Sequence, residues 1–264
     1  MRENGRIMRH AALVAFQDLQ GVYSWRSWIV EWITRAAGQI VFFVMIGRLV
    51  GSTQAVHFLL VGNVVAIAAR SIFLAVPSTV WERYAGTLPL LVAAPASPVV
   101  VFLGRSVEWI LDGFVSSIVA LAILAPLFRL ALPWPDALLF LPLMLVTCLS
   151  VYMAATFFGS LALRLVDGRN LIGITMSTSL LLLCGVNVSL DSLPAVLRGV
   201  AQFVPLTHGL LGVRALLSEA GAGTVVAQAA AELGVGLLWA AIAIFSFSHF
   251  AEGGRKDGSI EFGS

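Results

Sequence analysis

The chain has 264 residues, of which 59% are hydrophobic and only 11% charged, with a formal net charge of +2 and a mean hydropathy of +0.95. A soluble domain carries about 25% charged residues, so this chain cannot cover a globular surface and reads as an integral membrane protein. That composition leaves almost no room for a soluble catalytic domain, and the small net charge gives no argument for a nucleic-acid partner.

A bilayer core about 30 Å thick needs about 20 apolar residues per helical span. The runs Ile118 to Leu127 and Leu138 to Val146 are continuously apolar. A membrane β-barrel would show segments of about ten residues alternating apolar and polar instead. The fold class is therefore an all-α polytopic membrane protein with six transmembrane helices, and three parts are expected. Residues 1–27 form an N-terminal cytoplasmic or interfacial amphipathic segment, 28–250 the six-helix transmembrane domain, and 251–264 a cytoplasmic tail.

In chain order, Met8 to Tyr23 can form a short amphipathic helix at the interface, with Leu13, Phe16 and Leu19 near one face. The apolar run Ala11 to Phe16 ends at Gln17 and Asp18, which is too short for a cleaved signal. Trp25, Trp28 and Trp32 follow at helical spacing and suit the membrane–water boundary. Span one runs from about Trp28 to Val50, and its Glu31 and Arg35 form an i, i+4 pair. Span two runs from Ala55 to Val76 after a tight turn at Gly51 to Gln54. The polar, proline-bearing segment Pro77 to Pro98 can hold only a short surface helix. Span three runs from Phe102 to Phe128, span four from Ala137 to Leu163 and span five from Leu171 to Val188. Pro194 and Pro205 then break the chain into two short apolar helices, Pro194 to Phe203 and Leu206 to Leu217. Span six runs from Val225 to Phe250.

Cationic residues favour the cytoplasmic side of a membrane. With the N-terminus inside, Arg2, Arg6, Arg9, Arg83, Arg105, Arg164, Arg169, Arg255 and Lys256 fall there, against Arg48, Arg129, Arg198 and Arg214 outside. Both termini are therefore expected in the cytoplasm.

Of the 16 basic residues only Lys256 is a lysine. It lies between Arg255 and Asp257, so the sequence has no Gly-Lys-Ser/Thr phosphate loop. Cys148 and Cys184 sit in apolar runs and read as small core hydrophobes. The four histidines are scattered, and no metal site is expected. Neither His-Glu-x-x-His nor Gly-x-Ser-x-Gly occurs, which argues against an intramembrane enzyme. A channel or scaffold is the other class.

Two segments stand out. Between spans two and three, Glu82, Arg83 and Tyr84 precede Gly86, Thr87 and Leu88, with Leu90, Leu91, Pro95 and Pro98 beyond. Such a segment can form a rigid knob joined to two helices, able to take force from a soluble partner; an ordinary interfacial loop is the plainer alternative. After span five come Gly185, Leu193-Pro194, Pro205-Leu206-Thr207 and Arg214. Proline-broken backbone at membrane depth must be buried in protein or line a cavity, so this region should cap the end of a pathway. A linker lying on the surface is the alternative.

Both segments resemble the membrane subunits of type-2 ABC exporters. That family carries a Glu-Arg-x-x-Gly-Thr-Leu pattern followed by a Leu-Leu pair and a proline, and later a glycine, a Leu-Pro, a Pro-Leu-Thr and an arginine. Pro89, where a polar residue is common, and a tail with few basic residues are departures. The resemblance implies a coupling helix at about 79–93, with Glu82, Arg83, Tyr84, Gly86, Thr87, Leu88 and Leu91 docking on a partner ATPase. It implies re-entrant helices at about 193–217, with Gly185, Leu193, Pro194, Pro205, Thr207 and Arg214 at an outer gate. It further implies two ABC-type ATPase subunits binding ATP and Mg, a second permease chain making a homodimer, and no cofactor in this chain. The expected location is a bacterial plasma membrane, multi-pass. Spans one, two and five would face the partner permease around the pathway, and Phe42, Asn63, Arg70, Ser177 and Asn187 are candidates to line it. Arg70 would meet substrate, pair with a partner such as Glu31 or Glu108, or snorkel inward as a structural residue. Glu232 is expected to reach the outer interface. A span five without aromatic rings and a very short first loop favour a small amphipathic or hydrophobic cargo (drug, antibiotic or lipid), with a lipid-linked polysaccharide as the alternative.

Overall fold

The computed structural model describes residues 5–14, 24–49, 51–76, 98–164 and 169–257. All regular structure among them is helical. Residues 5–14 form α1. The helices α2 (Trp25–Leu49), α3 (Thr53–Ile72), α4 (Pro98–Ser106) and α5 (Glu108–Leu127) follow. A 3-10 turn at Asp136–Leu139 leads into α6 (Phe140–Arg164) and then α7 (Arg169–Leu183). The short α8 (Ala195–Ala201) and α9 (Thr207–Leu217) precede the 36-residue α10 (Ala222–Asp257).

Four helices among the described residues are long and apolar enough to cross a bilayer: Thr53–Ile72, Leu103–Leu127, Asp136–Ala162 and Ala222–Ser246. The segment predicted as the first span forms the 25-residue α2, which is not among these four. The predicted fifth span is shorter than expected. Its helix stops at Leu183, not Val188, because Gly185 takes φ 80° and the chain bends from there. Fifteen helical residues rise about 22 Å, less than the apolar thickness of a bilayer.

The centre of the bundle is α3. Ser52 caps it, its hydroxyl accepting the Ala55 N–H at 3.3 Å. From Leu59 to Ile72 every residue but Arg70 is buried, so this helix is apolar all round and enclosed by others. It packs against α2, α5 and α6, while α10 lies along α6 and α9.

The predicted third span is divided at Val107. Val107 keeps helical angles, φ −62° and ψ −26°, so the helix changes its bonding rather than its direction. Tyr152 of α6 donates its hydroxyl to the Leu103 carbonyl at 2.9 Å and lies 2.6 Å from the Ser106 hydroxyl. That carbonyl is the regular acceptor for the Val107 N–H. A side chain entering the ladder is a recognised cause of such a break.

The N-terminal helix is placed by a close approach to α4. A Cβ on Gly104 would fall 2.7 Å from the Ala11 Cβ and 2.8 Å from the Met8 carbonyl. The remainder of the predicted amphipathic helix, residues 15–23, lies outside the described residues.

Candidate functional site

The predicted coupling residues Glu82, Arg83, Tyr84, Gly86, Thr87, Leu88 and Leu91 lie outside the described residues. The second predicted region is present as two short helices with broken backbone between them, within two residues of the expected bounds. It is built around two polar anchors, Glu232 and Arg214.

Glu232 overturns its sequence reading. It is fully buried in α10 rather than placed at the interface. Its two oxygens accept the backbone N–H groups of Leu206 and Gly209, each at 2.9 Å. Leu206 is the N-cap of α9 and Gly209 is its third helical residue. These are the two donors that a capping box satisfies from within a helix. Leucine cannot cap, and Leu206 takes φ 89°, a conformation unfavourable for a branched side chain. The carboxylate on α10 therefore supplies the cap from outside, and its negative charge suits the positive end of the α9 dipole.

Three further contacts fix the same end. The ring of His208 lies between the Gln228 side-chain oxygen (Nδ1, 2.9 Å) and the Gln202 carbonyl (Nε2, 3.2 Å). The Trp239 indole donates to the Phe203 carbonyl at 2.9 Å. The Cys184 thiol points at the Pro205 carbonyl at 3.5 Å. Pro205 and Thr207 are both buried here. Gly209 lets α9 meet α6, since a Cβ there would lie 2.1 Å from the Thr147 hydroxyl oxygen. At the other predicted pair, Pro194 precedes α8, and Arg198 donates back to the Asp191 and Leu193 carbonyls at 3.1 and 3.2 Å.

Arg214 of α9 reaches the central helix. Its Cζ stands 3.6 Å from the centroid of the Phe58 ring, and Nη2 donates to the Phe58 and Val186 carbonyls at 3.4 and 3.5 Å. A planar guanidinium stacked on an aromatic face is a favourable contact, stronger when water is excluded. Gly185 and Arg214, paired only by motif in the sequence, are neighbours in space: a Cβ on Gly185 would be 3.5 Å from Nη1. The bend after α7 sits directly on α3. A Cβ on Gly62 would lie 2.2 Å from the Val186 carbonyl oxygen.

Beside this contact runs a chain of side-chain hydrogen bonds. Arg70 donates to the Gln39 carbonyl oxygen. Gln39 donates to Asn63 at 2.7 Å, and Asn63 donates to Asn187 at 3.0 Å and to the Leu59 carbonyl at 2.8 Å. All the donors point one way, from the cation to the bend, so each bond polarises the next. The chain joins α2, α3 and the segment after α7. Three of the predicted lining residues, Asn63, Arg70 and Asn187, are thus brought together. The other two are not in the chain. Phe42 is 61% exposed and packs edge-on to Phe43, and the Ser177 hydroxyl turns back to the Ile174 carbonyl at 3.0 Å.

Gln39 is a residue the sequence analysis does not single out, and Glu232 is one it places at the outer interface. Each carried a signal: Gln39 is an amide inside an apolar helix, and Glu232 is the sole acid between Val225 and Phe250. Polar residues at such depth bond across helices or serve function.

A family model described as ABC-2 type transporter matches residues 18–218. That stretch takes in the segment between α3 and α4 as well as α8 and α9. Among curated proteins, none matches the chain.

Proposed function

The chain belongs to the ABC-2 type transporter family, and on that premise we propose that it is the permease subunit of an ATP-driven exporter moving a small amphipathic or hydrophobic compound out of the cytoplasm or inner leaflet. Membership makes it a multi-pass membrane permease, and the family implies an ATPase partner. The proposed assembly has two permease chains and two ATPase chains in a bacterial plasma membrane. Each permease has six spans and both termini in the cytoplasm. ATP and magnesium belong to the partner, in keeping with a sequence that has no phosphate loop of its own.

In this reading ATP-driven closure of the ATPases moves the segment around Glu82 to Leu91, and the two permeases rock to open the pathway outward. The bend on α3, held by Arg214 and Asn187, and α9, capped by Glu232, would form the gate. Arg70 and Asn187 would line the inner wall of the path, whereas Asn63, expected from the sequence to line it too, is fully buried and joins them into one polar strip from within the bundle. A cargo with an apolar body and a few polar groups suits a wall of that kind.

The observation that carries the proposal is the family match across residues 18–218. The experiment is reconstitution of the chain in vesicles with a partner ATPase of the ABC type. ATP hydrolysis should rise with added amphipathic compound only when both proteins are present. Hydrolysis indifferent to the permease, or transport by the permease alone, overturns the proposal.

A further inference from the structure

A cavity of about 580 Å³ opens where the turn between α2 and α3 meets the end of α5. Its place along the membrane normal is set by two candidate spans, since Thr53 begins one and Leu127 ends another. The cavity thus sits at headgroup depth. Its walls include Arg48, Ser52, His57, Phe128 and Arg129, and none of the lining residues is acidic.

The walls are organised around Phe128. The Arg48 guanidinium lies 5.8 Å from the centre of its ring, and the His57 Nε2 lies 3.3 Å from its carbonyl oxygen. Arg129, the next residue, takes φ 53° in a turn tied by Arg129 N–H to Pro126 and Leu130 N–H to Ala125. These two bonds make a Schellman cap, the same ending that α9 has at Glu219, and it holds Arg129 at the cavity. Neither guanidinium is hydrogen-bonded to another described residue.

We propose that this cavity binds a phosphate-bearing anion, its charge met by Arg48 and Arg129. Two arginine forks offer paired donors that fit phosphate oxygens, and the lining contributes no opposing negative charge. The volume suits a headgroup or a small phosphate. A membrane phospholipid and free phosphate share this chemistry. The inference goes beyond the exporter reading: it rests only on insertion in a bilayer, and its test involves neither ATP nor transport, so the two can fail separately.

The full chain, purified in a neutral maltoside detergent, is titrated with short-chain phosphatidylglycerol, with phosphatidylcholine of the same chain length, or with inorganic phosphate, and the melting temperature is followed. Phosphatidylglycerol should raise it saturably and phosphatidylcholine should not. Losing one charge-assisted contact should weaken the apparent affinity about tenfold in Arg48→Gln and in Arg129→Asn. Arg9→Gln, on exposed α1, should respond like the wild type. Asparagine tolerates the backbone at 129, so that variant carries the test if Arg48→Gln does not fold. The same stabilisation and variant losses with inorganic phosphate would support the site and assign it to free phosphate. Equal responses to the two lipids, or arginine variants that answer phosphatidylglycerol as the wild type does, overturn the proposal.

Discussion

Glu232 accepts the backbone N–H of Leu206 at 2.9 Å across 26 positions of chain, and α9 starts where it does because of that contact. Its second oxygen takes the Gly209 N–H, so one buried side chain answers two of the four donors a helix start leaves unmet. Glu232→Ala should leave both donors buried and unpaired at a cost of about 2–4 kcal/mol. Glu232→Gln keeps an acceptor but loses the charge, and should fall between alanine and wild type. Thermal unfolding in detergent measures the order. Hydrogen exchange at Leu206 and Gly209 localises it, since rapid exchange in Glu232→Ala is expected there before elsewhere.

Gly62 and Gly209 permit close approaches of different kinds, which predicts different rescue. In Gly209→Ala the new methyl meets the Thr147 hydroxyl, a side chain that can be removed. The substitution should destabilise by about 1–3 kcal/mol, and Thr147→Ala should restore part of the loss. In Gly62→Ala the methyl meets the Val186 carbonyl, which is backbone, so no side-chain change at that contact should restore it. Comparing melting temperatures of the two single variants and the Gly209→Ala/Thr147→Ala pair decides the matter; equal behaviour at both sites would refute it.

The polar strip should show coupling between Asn63 and Asn187. Interhelical hydrogen bonds in membrane proteins average about 0.6 kcal/mol by double-mutant cycles. A cycle with Asn63→Ala and Asn187→Ala should return a coupling of that order or larger. A second cycle pairing Gln39→Leu with Asn187→Ala should also couple, although those side chains are joined only through Asn63. Strict additivity in both would mean that the strip does not act as a unit.

Two substitutions between α3 and α4 test the expected coupling segment. Glu82→Ala and Gly86→Pro should leave the permease folded and able to bind its ATPase, while cargo no longer stimulates hydrolysis. Stimulated hydrolysis and transport at the wild-type level in both variants would remove the coupling role from this segment.

The helices themselves were legible in the sequence because their causes are local. An apolar run of about 20 residues in a chain so poor in charge can only span, and Pro194 and Pro205 fall outside helices, just before α8 and between α8 and α9, where a missing N–H costs nothing. The bounds of α8 and α9 were accordingly found within two residues, and Gly185 marked the bend. The break at Val107 was not legible. It depends on Tyr152, which meets Leu103 only once α6 is packed beside α4. The pairing of Gln39 with Asn63 and of Asn63 with Asn187 was hidden for the same reason. An amide in an apolar helix must find a partner, yet which partner it finds is decided by the rotation and register of three helices packed together. Glu232 shows the difference most plainly. Its charge at membrane depth demanded compensation, which sequence could state, but only the fold brought it the open end of α9.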